Sequence, residues 1–539
     1  MGIFVGLRMK KIKHYTLNLV LPILYYGAVT GILTAAAVTF YKWCAKHVIA
    51  FSQAGYAFLR EQPYWLVIVL PVLLGVAFFL AWTYKKWPNL RGGGIPTSIG
   101  IVRGVITFQW LRSLLGLFFA SLTSFLIGVP LGNEGPSVQM GTALGKATLA
   151  PMSKRQKAWG RYAMTGGACV GFATATGAPI SGILFAVEEA HERISPVIVL
   201  VVVVSVVFGQ ITAELLSPLM GVSVMLFEPI ELLALGVADV WLPLLIGAAF
   251  GAFAVLFLRY YKTISKAVQK FLKPVKSAYK IFATFALTVF FGLLSTSFIS
   301  TGHGFIEGLF EERTAWYFLL CVLAVRMTLT AFANVNGVTG GIFLPTLAIG
   351  GAFAALIGEI LIGGFGLSET YYSLILVLGV TACIASMMKM PVTAIVFAVE
   401  ALGCYRHILY VIVVVAVAFA VTEIFGAKSI NDLVLKSRLD ELYDGKVHKV
   451  EEAYVTVEVG SFAVGKQIRD ILWPANLFVL SVAHGPRAEA QVDEHGGSVL
   501  REGDVLHVRY LTYDEEQTLE DIYAIVGEQS VEIEEIEKV

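Results

Sequence analysis

The chain has 539 residues, 57% of them hydrophobic and 15% charged, with a formal net charge of +1 and a mean hydropathy of +0.75. Soluble domains run at about 45–50% apolar and 25% charged residues, so a soluble globular protein is excluded and an all-α polytopic membrane protein is implied. The near-zero net charge names no partner, and nothing in the chain indicates nucleic acid or a bound cofactor.

Residues 1–15 form a basic N-terminal segment carrying Arg8, Lys10, Lys11 and Lys13. The apolar stretch from Thr16 to Tyr41 is too long for the roughly 7–15-residue core of a signal peptide and long enough to span. The loop near Gln53–Gln62 carries only Arg60 and Glu61, whereas the next holds Lys85, Lys86 and Arg91. The excess of Lys and Arg places the N-terminus and the Lys85–Arg91 loop in the cytoplasm. Apolar blocks continue to about residue 426. They are interrupted at Arg91–Ser98, Gly132–Ser137, Thr176–Ser181, Asn336–Pro345 and Met387–Pro391. Irregular backbone at membrane depth is tolerated only where it is buried or lines a water-filled path, and broken helices meeting near the midplane mark transporters.

One break holds a carboxylate between glycines, Gly132-Asn133-Glu134-Gly135-Pro136-Ser137. An ionised side chain in the bilayer core costs several kcal/mol or more, so Glu134 is expected to be functional. Ser137 to Gly145 reads as a helix of small residues, with Pro136 suited to its first turn. Glu134 would then sit at a positive helix end that attracts any other anion as well.

The chain also repeats. Ala178–Glu188 (APISGILFAVE) matches Met390–Glu400 (MPVTAIVFAVE) at an offset of 212, and Pro136-x4-Gly141 matches Pro345-x4-Gly350 at an offset of 209. Two halves, roughly 16–217 and 234–438, with breaks at corresponding places point to a binding site between them. The cysteines (Cys44, Cys169, Cys321, Cys383 and Cys404) are scattered in apolar segments and read as small core residues. His14, His47, His303 and His407 are isolated, so no metal site is expected. His191, Glu192 and Arg193 read as a solvated helix end.

After about Arg438 the character changes. Residues 439–452 read as a charged linker and 453–527 as a small α/β module. Strands are expected at Val455–Val459, Leu477–Val482 and Val505–Arg509, with helices at Lys466–Leu472 and Asp514–Val526. Residues 528–539 read as a frayed acidic tail.

Residues 15–438 resemble the CLC family of chloride channels and proton-coupled chloride antiporters. Its Gly-Ser-Gly-Ile-Pro motif stands here as Gly92-Gly93-Gly94-Ile95-Pro96, and its Gly-Arg/Lys-Glu-Gly-Pro motif as Gly132-Asn133-Glu134-Gly135-Pro136. Its Gly-x-Phe-x-Pro motif is intact as Gly341-Ile342-Phe343-Leu344-Pro345. The resemblance implies an inverted-repeat fold, a homodimer in the cytoplasmic membrane with both termini cytoplasmic, and an anion path lined by these motifs. It implies that Glu134 is the gate and shared proton site, and Glu189 an internal proton-transfer group. Glu188 is then supporting or structural, and its repeat copy Glu400 structural. Three departures stand out. Gly93 replaces a serine, Asn431 stands where the family has a tyrosine, and Asn133 replaces a basic residue. The first two would widen the inner vestibule, and a passive or loosely coupled chloride channel is the alternative function. An intramembrane enzyme is disfavoured, because no nucleophile–base pair or HExxH is evident. Residues 453–527 resemble the RCK C-terminal module, which pairs as a dimer and in some bacteria binds cyclic di-AMP. That resemblance implies regulation, with Asn476, His484 and Arg487 as candidate ligand contacts.

Overall fold

The computed structural model describes residues 19–539, apart from 93, 150–153, 193, 229, 231, 234–235, 444–448, 475–476, 486–489, 494, 513–514, 528–530 and 535–539. The expected segment 1–15 with His14, and Gly93, Arg193, Asn476 and Arg487, lie outside the described residues.

The first half comprises α1 (Leu21–Glu61), α2 (Leu66–Lys86), α3 (Ile95–Val102), α4 (Trp110–Ile127), α5 (Glu134–Ala147), α6 (Gly160–Thr176), α7 (Pro179–Phe185) and α8 (Pro196–Met220). The second comprises α9 (Trp241–Phe271), α10 (Ser277–Leu294), α11 (His303–Glu311), α12 (Trp316–Val335), α13 (Phe343–Glu359), α14 (Tyr372–Met387), α15 (Pro391–Glu400) and α16 (Ile408–Ile424), and α17 (Ile430–Leu442) closes the domain. Among the described residues, ten helices are long and apolar enough to cross a membrane. This is an all-α polytopic membrane protein with an inverted repeat and broken helices. The longest helix, α1, runs about 60 Å at 1.5 Å per residue, and large apolar side chains such as Val67, Phe79, Phe119 and Leu219 are exposed on the outer surface.

The expected breaks have local causes. Gly177, left-handed at φ +68°, ends α6, and Pro179 begins α7 two residues later. In the second half Lys389 occupies the corresponding left-handed position at φ +61°, just before Pro391 opens α15. A side chain there costs about 1 kcal/mol or more. Its ammonium reaches the Thr422 hydroxyl (2.8 Å) and the Glu423 carboxylate (2.7 Å). Elsewhere the helices touch through small residues. A Cβ on Gly141 would collide with the carbonyl of Gly167, and one on Gly145 with that of Ala163, so α5 and α6 meet backbone to backbone.

The repeated glutamates cap each other's helices. Glu188, in the single π turn Ala186–Ala190 after α7, accepts from the amides of Val392 (2.8 Å) and Thr393 (2.7 Å) and from the Thr393 hydroxyl (2.6 Å). Glu400, at the end of α15, accepts from Ile180 N, Ser181 N and the Ser181 hydroxyl, each at 2.8 Å. Proline at each helix start removes one donor, and the carboxylate of the other repeat takes the next two. Cys169, Cys383 and Cys404 are buried, whereas Cys321 is exposed and is no core residue. His407 is buried against the Leu233 carbonyl (2.6 Å).

The C-terminal region is a four-stranded antiparallel sheet in the order β2-β3-β1-β4, with β1 Lys449–Thr456, β2 Leu477–Ala483, β3 Val505–Thr512 and β4 Val531–Glu534, and a helix α18 (Glu515–Val526). It differs from expectation in three ways. β1 starts inside the stretch read as linker. Lys466–Leu472 holds only a short 3-10 turn at Ile468–Asp470, since Gly465 and Lys466 bond to Leu500 on a neighbouring segment instead of to a helix. The stretch read as a frayed tail contributes β4, which completes the free edge of β1. The module rests directly on α6: Arg161 pairs with Asp521 (2.6 Å), the Tyr162 hydroxyl bonds the Asp470 carbonyl (2.9 Å) and the Leu472 amide (3.1 Å), and Phe462 stacks edge-on against Trp159.

Glu188→Ala and Glu400→Ala are each expected to destabilise the detergent-solubilised protein by about 2 kcal/mol, the value of a charged cap on two amides. Denaturant melts check this, and an unchanged midpoint for both would remove the capping role.

Candidate functional site

Three glycine-bearing loops meet where the two halves cross. Gly132 and Gly341 form an antiparallel bridge, with Gly132 N to Gly341 O at 2.7 Å and Gly341 N to Gly132 O at 2.8 Å. A Cβ on Gly135 would lie 2.5 Å from Gly341 Cα and 3.1 Å from Gly94 Cα, so only glycines allow this approach. The result brings the N-termini of α5 and α13 together, with Gly94 (φ +116°) and the start of α3 beside them. Gly132, Glu134, Gly135, Pro136, Ile342 and Phe343 are buried there, with Ile95 and Pro96 on α3; Asn133 is half-buried.

Glu134 occupies the junction. It is 0% exposed, and neither carboxylate oxygen completes a hydrogen bond of normal geometry. The amides of Glu134 itself and of Leu344, one from each helix end, face it, and its Oε2 lies over Gly132. Two positive helix ends are thus directed at one carboxylate. The cation acting on it is Lys42 of α1, whose ammonium bonds the Thr174 carbonyl at 2.9 Å.

Glu189 lies elsewhere, buried (6% exposed) in the π turn. Its carboxylate faces the amide of Asn431, with Asp432, Arg103 and Glu192 around it. Asn431 Nδ2 is buried and completes no hydrogen bond of normal geometry. Arg103 pins the turn through the carbonyls of Glu189 and Ala190, both at 2.8 Å, and pairs with Glu192 at 2.6 Å. His191 bonds the Thr165 hydroxyl at 2.8 Å. The helix end read as merely solvated is therefore tied down at His191 and Glu192. Asn431 stands with Glu189 at the start of α17, where the Ser429 hydroxyl accepts from its amide.

Four buried phenylalanines pack on one another around the start of α13 and the end of α7. Phe172 packs on Phe185 (5.6 Å between centroids) and Phe343 (5.2 Å), and Phe343 on Phe397 (5.8 Å). Phe185 and Phe397 are the repeat copies of one another that the 212-residue offset pairs, whereas nothing in the sequence joins them to Phe172 and Phe343. Gln139 left a faint trace, as the single amide side chain in a helix of small residues. Its oxygen accepts from Gly94 N (2.6 Å) and its NH2 donates to Asn89 O (3.0 Å), which fixes the Gly92–Gly94 loop on α5. Lys42 was legible only as one of two lysines, with Lys46, in an apolar run.

In the C-terminal module His484 meets Asp504 at 3.2 Å. No group of three or more His, Cys, Asp or Glu able to hold a metal occurs among the described residues.

Residues 76–423 match a family model described as voltage gated chloride channel. The chain is 28% identical to the H(+)/Cl(-) exchange transporter ClcA of Vibrio vulnificus over 431 residues, covering 77% of this chain and 89% of that protein. It is 28% identical to the ClcA of Cronobacter sakazakii over 430 residues, covering 78% and 90%. Its fold is similar to that of a slow cyanobacterial Cl-/H+ antiporter (TM-score 0.70, 23% identity, 78% of this chain and 98% of that one). It is similar also to a CLC-type fluoride/proton antiporter (TM-score 0.60, 20% identity, 76% and 97%). With its three glycine loops crossing at a buried glutamate and its family match spanning most of the membrane domain, the chain belongs to the voltage-gated chloride channel family.

Proposed function

We propose that this protein exchanges chloride for protons across the cytoplasmic membrane. The observation that carries this reading is the Glu134 carboxylate, buried without a hydrogen bond where two helix N-termini meet. An anion and the ionised carboxylate cannot share that position, so protonating Glu134 frees it for chloride and ionising Glu134 expels chloride. The backbone of Gly92–Gly94, Gly132–Gly135, Ile342 and Phe343 lines the anion path, and Glu189 exchanges protons with the cytoplasm. Lys42 supplies the positive field that a basic residue at position 133 would otherwise give. The names of the related ClcA exchangers support the same activity.

Both termini face the cytoplasm on this reading, and two copies pair. Helices α7 and α15 are too short to span a bilayer, yet Ile180 (54%) and Val392 (49%) are exposed on them. A second subunit covering that face satisfies both facts. A passive or loosely coupled channel is the second reading, favoured by Asn431, whose short amide leaves the space a phenol would fill.

The C-terminal module regulates transport, through an RCK-like fold that takes cyclic di-AMP or another nucleotide with His484, Asn476 and Arg487 as contacts. Its bonds to Arg161 and Tyr162 support transmission into α6.

Reconstituted vesicles with a chloride gradient should drive protons uphill. Glu134→Gln and Glu189→Gln should each reduce coupled proton flux at least about tenfold while chloride still moves; chloride flux in the wild type without any proton movement would reject coupling and leave the channel reading. Lys42→Met should lower chloride turnover severalfold and leave the proton-to-chloride ratio unchanged, so an altered ratio at unchanged turnover would remove its electrostatic role. Cyclic di-AMP titrated into the full-length protein should release heat and change flux. Tyr162→Phe should keep the heat and lose the flux change; no heat at all would remove this ligand.

A further inference from the structure

Glu189 is only 6% exposed, yet the exchange assigned to it needs a proton donor in contact with water. Three other carboxylates stand near it, and two of them are engaged. Glu188, its neighbour in the π turn, accepts from two amides and a hydroxyl at the start of α15. Glu192, with 62% of its side chain exposed, pairs with Arg103 at 2.6 Å. The third is Asp432, half-buried in the first turn of α17. Among the described residues its carboxylate has neither a hydrogen bond nor an ion pair.

The ordinary duties of an acid at this place are filled by other groups. Ser429 caps α17, its hydroxyl accepting from the Asn431 amide at 3.1 Å and donating to the Met388 carbonyl at 3.0 Å. Arg103 acts on both Asp432 and Glu189. Its donors, however, go to the carbonyls of Glu189 and Ala190 and to Glu192. Glu192 is held there at φ +53°, a left-handed position that costs about 1 kcal/mol, and keeps the guanidinium occupied. The remaining charge facing Asp432 is Lys428, which is exposed. Asp432 and Glu192 both act on Glu189 as like charges. Ionising all three carboxylates at once is therefore costly, and the group retains a proton that its members can share.

A second observation lies in the same pocket. Asn431, 2% exposed, faces Glu189, and its Nδ2 completes no hydrogen bond of normal geometry. A buried amide donor without an acceptor costs about 1–3 kcal/mol, and a bridging water removes that cost. Exposure falls in order from Glu192 through Asp432 to Glu189, so the carboxylate without a partner stands between the solvated end and the buried one.

We propose that Asp432 is the proton collector of Glu189. It takes a proton from cytoplasmic water and passes it, through a water on the Asn431 amide, to the Glu189 carboxylate. Glu189 is then neutral and Asp432 is again a carboxylate; the reverse sequence discharges Glu189. The proposal rests on the reading of Glu189 as the group that exchanges protons with the cytoplasm.

The test is proton flux driven by a chloride gradient in vesicles holding the full-length protein, with pH varied on the cytoplasmic face. Asp432→Asn should cut proton flux about tenfold when that face is alkaline and protons are scarce. The loss should shrink when the face is acidic, because Glu189 is then loaded directly. Raising the concentration of an impermeant buffer such as HEPES on that face, at fixed pH, should restore the flux, since a mobile buffer replaces the collector. Asp432→Glu should keep most of the wild-type flux. An acid that merely supported α17 would give a loss independent of pH and of buffer. Such a loss, or no loss at all in Asp432→Asn, would overturn the collector. Full proton flux in Glu189→Gln would instead overturn the reading of Glu189 beneath it.

Discussion

The membrane domain depends on one backbone crossing. At Gly132 and Gly341 two chains pass close enough to exchange a pair of hydrogen bonds, and the glycines at 94 and 135 leave no Cβ to hold them apart. This forces the first turns of α5 and α13 against each other. Each helix end carries about half a positive charge, and a free amide of each, Glu134 N and Leu344 N, faces the junction. The junction therefore attracts negative charge, and the chain places one there in Glu134. The burial that makes an isolated carboxylate expensive is what gives the paired helix ends their strength.

Around the crossing the two halves act as near copies, and the chemistry sits where the copies differ. The offset that relates Gly132 to Gly341 and Pro136 to Pro345 also relates Glu134 to Phe343. One half thus supplies a titratable group and the other an apolar ring with free amides behind it. In contrast, Glu188 and Glu400 perform one task twice, each closing the other repeat's helix start. The distinction separates scaffold from site on physical grounds. A group engaged by symmetric hydrogen bonds has no free valence for transport, whereas Glu134 has both oxygens unengaged.

The features legible in the sequence were those written as local exceptions in apolar runs. Helix breaks announce themselves by Gly and Pro, the repeat by shared residues at a fixed offset, and Glu134 by being a carboxylate where none belongs. Partnerships across the fold were not legible. Gln139 reads as a stray polar residue until Gly94 and Asn89 are placed on either side of it. Lys42 is about ninety residues from Glu134 in the chain, and no periodicity joins them. Arg91 reads as a loop charge and Arg438 as the point where the composition changes, because burial by distant elements leaves no mark on either segment. In the C-terminal module the short acidic stretch Val531–Glu534 was taken for a tail. Its strand identity comes from the unpaired edge of β1 rather than from its own composition.

The C-terminal module is joined to this machinery rigidly. It holds the first turn of α6 through Arg161 and Tyr162, and α6 meets α5 through glycine contacts that admit no side chain between them. Packed interfaces of this kind transmit a displacement instead of absorbing it, so a shift of the module moves the helix that begins with Glu134. A second connection runs along the chain itself. The module follows α17, which bears Asn431 beside Glu189 at one end and Arg438 beside Gly92 near the other. Just past α17, the Tyr443 hydroxyl bonds the carbonyl of Val105 at 2.7 Å. The two connections enter the membrane domain on different elements, one reaching Glu134 through α6 and α5 and the other reaching both the Glu189 pocket and Arg438 through α17. Bound at two points rather than one, the module fixes the position of α17 relative to α6.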